Sequence, residues 1–527
     1  MTLPDPIRLE IFKHLFTAVA EEMGAVLRKA SYSPNIKERR DYSCAIFDQS
    51  GNMIAQAAHI PVHLGSMPAS VKSAIEGFQV INPGDMIILN DPYHGGTHLP
   101  DITMVSPVFA NRKLSYFVAT RAHHADIGGM APGSLPLSTE IYQEGIIIPP
   151  IKLIDNGQLN EDILSLITAN TRAPKEREGD IKAQMAAQRI GEDQLLEIIN
   201  KMGLESVQDH ASALMDISRQ MTEKVISKIP DGSYVFSDSL EGYHKTDDPI
   251  PVRVKISVKG SKMVVDFTGS SPQVTANLNA VKAVVNSATW YCVHLLANED
   301  IPMNHGCFQP VEVLVPSHSI LNPDFPAAVA AGNVETSQRI VDVVLGALVK
   351  ALPKRIPAAS QGTMNNVTFG GTIQDKAFIF YETLGGGHGA GPEGDGLSGR
   401  HSHMTNTRNT PVEAIEHSLP VQILTYELIE GSGGKGQYWG GKGVKRVYKF
   451  LTTANVTINS DRRIIPPYGL QGGKPGKTGR NTIVRDGEEI EIASKDSLQV
   501  NPGDVLIIET PGGGGWGKPA DVPEDFS

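Results

Sequence analysis

Imidazoles and carboxylates are concentrated in the segment from Asn90 to Gly129, which reads NDPYHGGTHLPDITMVSPVF, then a short turn, then LSYFVATRAHHADIGG. Nitrogen and carboxylate ligands of this kind suit a borderline divalent ion such as zinc, manganese or iron. The alternative is that these side chains cap turns and form loop hydrogen bonds. Their density favours a metal site. The candidate ligands are His94, His98, His123, His124, Asp91, Asp101 and Asp126.

Local geometry restricts which of these side chains can share one site. His123 and His124 follow an apolar strand, FVATRA, and adjacent strand residues point to opposite faces, so only one of them can face a shared ion. His98 and Asp101 lie three residues apart after a glycine turn, which can aim both side chains at one point. Outside the segment, Asp41 precedes a strand and is suitably placed to add an oxygen ligand.

Three further residues are candidates for supporting roles. His59 and His63 flank the tripeptide IPV, and Glu144 lies in YQEGIIIPP. Each could orient a metal ligand or act as a general base. For each of them a purely structural role is the alternative.

The composition excludes some classes of protein. The chain has 527 residues and a formal charge of -11, which argues against a general nucleic-acid binder because phosphate contacts need clustered Lys and Arg. No apolar run is long enough to predict a membrane span. Three cysteines without a CxxC pair, and an N-terminus without a secretory apolar core, indicate a reduced, cytoplasmic location.

Apolar periodicity predicts a mixed α/β fold with more than one domain. Within it we expect an amphipathic helix over 5–30, mostly helical structure over 160–229, and helices near 276–298 and 335–352. Short strands and glycine turns follow from about 420. The predicted division is an N-terminal metal-binding α/β and helical region over 1–229, a central α+β domain over 230–419 and a C-terminal β-rich module over 420–527.

Glycine motifs in the second half imitate nucleotide-binding loops. GAGPEG, from Gly389, and GSGGKG, from Gly431, both satisfy G-x-G-x-x-G and follow apolar strands, but neither precedes a predicted helix. The dinucleotide fingerprint needs that helix to place its N-terminus on the pyrophosphate. GKPGKTG ends like a P-loop, yet Gln471 stands where the first glycine should be. We therefore predict no nucleotide site in this chain.

Several segments together resemble one known family, the N-methylhydantoinase B/oxoprolinase (hydantoinase B) family, which has relatives in acetone carboxylase. They are specific in combination and extend from position 39 to about 339. The segments are RRDYSCAIFD, HIPVHLGSM, GDMIILNDPYHGGTHLPDI, RAHHADIGG, YQEGIIIPP, NTRAPKEREGDIKAQ and AAGNVETSQR.

The resemblance implies a β subunit that works with a separate hydantoinase A-type subunit in a hetero-oligomer such as α2β2. That partner would use ATP to phosphorylate an amide or lactam carbonyl, and this chain would carry the metal for hydrolysis. The positions that match the family's metal ligands are Asp41, His98, Asp101 and His123. His124 and Asp126 also fall within its motif and are expected to support the site.

The reaction implied by the resemblance is the opening of a hydantoin, oxoproline or lactam ring. A divalent ion would lower the pKa of a water molecule and supply hydroxide near neutral pH. Glu144 or a histidine of the cluster would shuttle the proton, so Glu144, His124 and Asp126 are the candidate catalytic residues. Two alternatives remain open: a subunit of an acetone carboxylase-like, ATP-dependent carboxylase, and a scaffolding subunit whose histidines are structural.

Overall fold

The structure is a computed structural model that describes residues 5–57, 60–63, 65–244, 246–297 and 300–519. These residues form four β-sheets with helices packed against them, which confirms the predicted mixed α/β class. The largest group of buried apolar side chains extends from Ile60 to Met404 and joins the first half of the chain to the central region.

The first sheet carries most of the histidine-rich segment. Its strands are β1 Tyr42–Asp48, β2 Met53–Gln56, β3 Met86–Leu89, β4 Asp101–Ala110, β5 Lys113–His123, β6 Ile151–Asp155 and β7 Gln158–Leu159. Their order is β2-β1-β5-β4-β3-β6-β7, with every neighbouring pair antiparallel. β4 and β5 form a hairpin across Asn111 and Arg112, whose φ angles of 51° and 62° suit a tight turn that matches the strand twist.

Helices cover this sheet. They are α1 Pro6–Ala30, α2 Pro34–Lys37, α3 Met67–Glu76, α4 Glu161–Ala169, α5 Pro174–Met202 and α6 Leu204–Ile226. The helix predicted over 5–30 is confirmed as α1, and Asp5 caps it by accepting the Ile7 N–H at 3.2 Å. α5 packs on β4 and β5, and Gln188 on its buried face donates to the Met104 carbonyl of β4 at 2.6 Å.

The central part of the chain forms a second sheet of four strands. It has the order β11-β10-β9-β8, in strands β8 Gly232–Leu240, β9 Ile250–Lys259, β10 Lys262–Asp266 and β11 Val311–Leu314. The two helices predicted here are confirmed within narrower bounds, as α7 Lys282–Leu295 and α8 Glu335–Leu348. Every residue of α8 is buried, and the loop before it reaches the histidine-rich segment.

The remaining strands form two antiparallel sheets that share one apolar core. Their orders are β13-β12-β16-β19 and β14-β15-β20-β17-β18. Because β12 pairs with β16, the predicted boundary at 419/420 passes between strands of one sheet. The elements are β12 Asn366–Ile373, β13 Lys376–Glu382, α9 Val412–Ser418, β14 Val421–Leu428, β15 Val444–Phe450, β16 Ala454–Asn459, β17 Arg480–Arg485, β18 Glu488–Ile492, β19 Lys495–Val500 and β20 Val505–Glu509.

The glycine-rich segments of this half pack against one another through their backbones. The Gly441 N–H donates to the His388 carbonyl at 2.8 Å, the Gly513 N–H to the Gly441 carbonyl at 2.9 Å, and the Gly434 N–H to the Gly513 carbonyl at 2.8 Å. A Cβ on Gly513 would lie 1.9 Å from the His388 carbonyl oxygen. Close approach of neighbouring backbones therefore explains why glycine occupies these positions.

Candidate metal centre

Three buried side chains meet at the open end of the β4–β5 hairpin. Asp101, the first residue of β4, lies directly opposite His123, the last residue of β5. Asp101 Oδ1 is 3.3 Å from His98 Nε2 and 3.3 Å from His123 Nδ1. One ligand atom from each of the three residues lies within 4.8 Å of the other two. The structure thus brings together three of the four predicted metal ligands.

The donor atoms of this group fit a divalent cation. Counting only partners in the described part of the chain, His98 Nε2, Asp101 Oδ1 and His123 Nε2 are buried and make no hydrogen bond. Buried polar atoms are almost always paired, so three orphaned atoms in one place need an explanation. Two imidazoles and a carboxylate are a common protein ligand set for zinc and similar ions.

The electrostatics favour the metal-binding protonation states of Asp101 and His123, whereas His98 holds its proton more tightly than a free imidazole does. Burial by itself would raise the pKa of Asp101, but the charges of His98 and His63 hold it well below its ordinary value. Burial lowers the pKa of His123. For His98 burial also acts downward, yet the neighbouring Asp101 carboxylate raises its pKa above the ordinary value. Asp101 is therefore ionised and His123 neutral at pH 7, as metal ligands must be.

The second oxygen of Asp101 is held from the other side. Thr97 Oγ1 donates to Asp101 Oδ2 at 2.5 Å, and His63 Nε2 lies 3.4 Å from the same oxygen. His63 Nδ1 is in turn 2.8 Å from Ser43 Oγ. His63 thus lies where a residue that orients a ligand would be expected, whereas His59 falls outside the described residues.

Asp41, which directly precedes β1, lines a small cavity together with the three grouped residues. Asp41, His98, Asp101 and His123 all line this cavity, whose volume of about 20 Å³ has room for little more than one water molecule. The Asp41 carboxylate lies 3.7 Å from the buried Arg39 guanidinium, and its backbone carbonyl accepts the His123 N–H at 3.0 Å.

His124 and Asp126 lie outside the three-residue group. His124 points to the opposite face of β5, as strand alternation predicts, where its Nε2 is 2.9 Å from Gln184 Oε1 of α5. Burial lowers the pKa of His124 to about 4. The Asp126 carboxylate accepts the Arg172 backbone N–H at 2.8 Å and forms an ion pair with the Arg172 guanidinium at 2.8 Å.

His94 and Asp91 pair with each other instead of joining the group. His94 Nδ1 lies 2.7 Å from Asp91 Oδ2, and the His94 side chain is 60% exposed. Asp91 also accepts the Tyr93 N–H at 2.9 Å, which caps the short turn over residues 92–94. These two residues correspond to the capping alternative that the sequence left open.

Glu144 is fully buried and reaches the group only through a peptide of the loop before α8. Its Oε1 accepts the Ser138 hydroxyl at 2.7 Å, the Ala330 N–H at 2.9 Å and the Val329 N–H at 3.0 Å. Burial raises the pKa of Glu144 to about 7. The Ala330 carbonyl lies 3.1 Å from His98 Nδ1. The loop's part in the site was missed by pattern reasoning, because 232 residues separate Ala330 from His98.

A family profile described as Hydantoinase B/oxoprolinase matches residues 5–519. The chain belongs to this family. It is 46% identical to an uncharacterized protein of Methanocaldococcus jannaschii, over 98% of this chain and 91% of that one. It is 40% identical to 5-oxoprolinase 1 of Arabidopsis thaliana, over 98% of this chain but only 42% of that one. It is 33% identical to a Pseudomonas protein named as the B-type subunit of a D-/L-hydantoinase, over 98% and 90%.

Two solved structures share the fold of this hydantoinase B/oxoprolinase family member. The ATP-dependent caprolactamase of Pseudomonas jessenii superposes with a TM-score of 0.91 at 29% identity, over 98% of this chain and 91% of that one. An acetone carboxylase structure superposes with a TM-score of 0.91 at 19% identity, over 98% and 76%, which demonstrates a common fold. Across the described ranges, no helix is both long and apolar enough to cross a membrane.

Proposed function

We propose that this chain is the metal-carrying hydrolytic subunit of an ATP-dependent cyclic amide hydrolase, which opens a hydantoin, oxoproline or lactam ring. The observation that carries the proposal is the buried group of His98, Asp101 and His123: each residue offers a ligand atom within 4.8 Å of the other two, and each has one buried polar atom without a hydrogen-bond partner in the described structure. The substrate class rests on the names of relatives: 5-oxoprolinase, hydantoinase and caprolactamase all denote ring-opening enzymes for cyclic amides.

His98, Asp101 and His123 would hold the ion, and Asp41 is proposed as the fourth ligand because it lines the same cavity. Zinc, manganese and iron all accept this ligand set. When bound, such an ion supplies Lewis acidity and lowers the pKa of a water molecule, which makes hydroxide available near neutral pH. The small cavity and its buried walls keep other water away from this position.

The surrounding residues would keep the ligands in place. Thr97 and His63 hold one oxygen of Asp101, so that the other oxygen stays directed at His98 and His123. We propose supporting roles for His124 and Asp126, since the hydrogen bonds of His124 go to α5 and those of Asp126 to Arg172. Arranging a site from such outer partners is the usual way in which proteins orient metal ligands.

We assign the ATP-dependent step to a separate hydantoinase A-type chain. The Arabidopsis relative continues far beyond the part that this chain matches, since only 42% of it is covered. The Pseudomonas relative is named as one subunit of its enzyme and is covered over 90% of its length. A partner that phosphorylates the amide carbonyl would lower the barrier of an otherwise slow hydrolysis, and a hetero-oligomer such as α2β2 would bring both chains together.

Reconstitution with such a partner chain tests the proposal. The complex is supplied with ATP and, separately, with a hydantoin, 5-oxoproline, a lactam or a ketone, each with and without bicarbonate. We expect ring opening and ADP formation with a cyclic amide, and loss of ring opening when Asp101 is replaced by Asn. Bicarbonate-dependent consumption of a ketone, without amide hydrolysis, would instead identify an acetone carboxylase-like subunit and overturn the proposal.

A further inference from the structure

Glu144 holds the loop that leads into α8 by a set of hydrogen bonds that converge on one oxygen. Its Oε1 accepts the backbone N–H groups of Val329 and Ala330 together with the Ser138 hydroxyl. Because Glu144 has no exposed surface, these three donors take the place of water molecules around that oxygen. Removing the acceptor would leave two buried N–H groups unpaired, and the loop would have to move to find others.

Two asparagines fix the same loop from its other side. The Asn277 carbonyl accepts the N–H groups of Ala331 at 2.9 Å and Gly332 at 3.0 Å, and Asn279 Nδ2 donates to the Ala328 carbonyl at 2.9 Å. The loop packs so closely that a Cβ on Gly332 would lie 1.8 Å from the Asn279 carbonyl oxygen. The Ala330 peptide is therefore held on both sides, and its carbonyl has one direction available.

That carbonyl faces His98. The distance from the Ala330 oxygen to His98 Nδ1 is 3.1 Å, and a carbonyl can only accept, so Nδ1 must carry the proton. In a neutral imidazole the other nitrogen, Nε2, then presents its lone pair, and Nε2 is the atom 3.3 Å from Asp101 Oδ1. The Ala330 carbonyl thus selects both the ring orientation and the tautomer of His98 that a cation would require.

We propose that Glu144 is a positioning residue, which acts through the Ala330 peptide to keep His98 Nε2 directed into the site as a free ligand atom. This role replaces the proton shuttle expected from the sequence. The Glu144 carboxyl lies behind the Ala330 peptide and outside the set of residues that line the cavity. The inference rests on the proposed function only in taking His98 to be a metal ligand.

Two substitutions separate positioning from proton transfer. Glu144→Leu removes the acceptor at similar volume, whereas Glu144→Gln keeps an amide oxygen that can accept the same N–H groups but cannot transfer a proton as a carboxyl does. The matched control is Glu241→Leu. Glu241 is also buried and also accepts loop N–H groups, those of Ile464 at 2.7 Å and Ile465 at 2.8 Å, but neither of these two residues lines the cavity.

The measurement is the zinc affinity of the metal-depleted full chain, by competition with a chelating dye. We expect Glu144→Leu to weaken zinc binding by about 10- to 100-fold, the usual effect of removing a partner that orients a ligand. Glu144→Gln and Glu241→Leu are expected to bind zinc nearly as the unmodified chain does. Wild-type zinc affinity in a folded Glu144→Leu chain would overturn the inference, as would a Glu144→Gln complex that binds zinc normally but has lost turnover.

A second measurement does not depend on zinc or on a variant that folds. Nitrogen-15 spectra of histidine in the metal-free, unmodified chain, recorded at a pH above the raised pKa of His98 so that its ring is neutral, report which ring nitrogen carries the proton. We expect an Nδ1–H tautomer, and an Nε2–H tautomer would refute the inference directly. If the chain binds no zinc yet shows the Nδ1–H form, the metal proposal fails while the positioning of His98 stands.

Discussion

Replacing Asp101 with Asn offers the sharpest test of the candidate metal centre. Asp101 contacts both His98 and His123 at 3.3 Å, so the substitution removes the one charged ligand that the two imidazoles share. An Asn side chain has nearly the same shape and can still accept the Thr97 hydroxyl on one oxygen. The metal-free fold should therefore survive, and the effect should be confined to cation binding.

The expected size follows from linkage between binding and folding. A cation at about 1,000 times its Kd stabilises the folded chain by about 4.1 kcal/mol. With about 2.1 cal/mol/K of unfolding entropy per residue, a chain of 527 residues has about 1.1 kcal/mol/K, so that Tm should rise by about 4 °C. Removing a residue that only orients a metal ligand costs up to about 100-fold in affinity, so removing a ligand itself should cost at least that much. If Asp101→Asn weakens cation binding by more than about 100-fold, the rise in Tm falls to about 1 °C or less.

The assay is thermal unfolding of metal-depleted protein with and without zinc, manganese or ferrous iron. His94→Ala is the matched control, because His94 belongs to the same segment but its exposed ring pairs with Asp91. The control should keep the full rise in Tm. The reasoning fails if no ion raises the Tm of the unmodified chain, or if the Asp101→Asn chain is stabilised as much as the unmodified one.

Three further predictions follow from the same structure. Gly513→Ala should prevent folding, measured as a loss of the circular dichroism signal, because the new Cβ would lie 1.9 Å from the carbonyl oxygen of residue 388. The control Gly394→Ala should fold normally, since no described atom lies within 4 Å of its new Cβ. Asp126→Ala should lower the Tm measured by thermal unfolding by about 2–3 °C, because it removes an ion pair with Arg172, whose 31% exposure reduces the cost to about 2–3 kcal/mol. Because the pKa of His98 is raised, its proton stabilises the metal-free chain at low pH, and this contribution is lost as the pH rises through that pKa. Zinc competes with the proton for the same nitrogen, so zinc affinity measured by calorimetry should fall about tenfold for each pH unit below the pKa of His98.

Local pattern was sufficient for the elements and for part of the site. The spacing of apolar residues predicts α1, and an N-terminal Asp followed by Pro marks its first turn, since both signals lie within a few residues of one another. Strand alternation likewise predicts that His123 and His124 face opposite ways, because the pleat repeats every two residues. Both inferences depend only on the covalent neighbours of a residue.

Which side chains meet was decided by tertiary structure. Alternation could not say which of His123 and His124 faces inward; that depends on the register of the β4–β5 hairpin, which sets Asp101 opposite His123. Asp126 pairs with Arg172, which lies between α4 and α5 and is 46 residues away along the chain.

The same holds for the loop at Ala330. It orients His98 across 232 residues of chain, and no periodicity connects the two positions. Periodicity along a chain records which side of an element is buried, whereas the pairing of polar atoms depends on strand register and on loops that arrive from distant parts of the sequence. The candidate ligands could therefore be recognised from the sequence, and their assembly into one buried group required the fold.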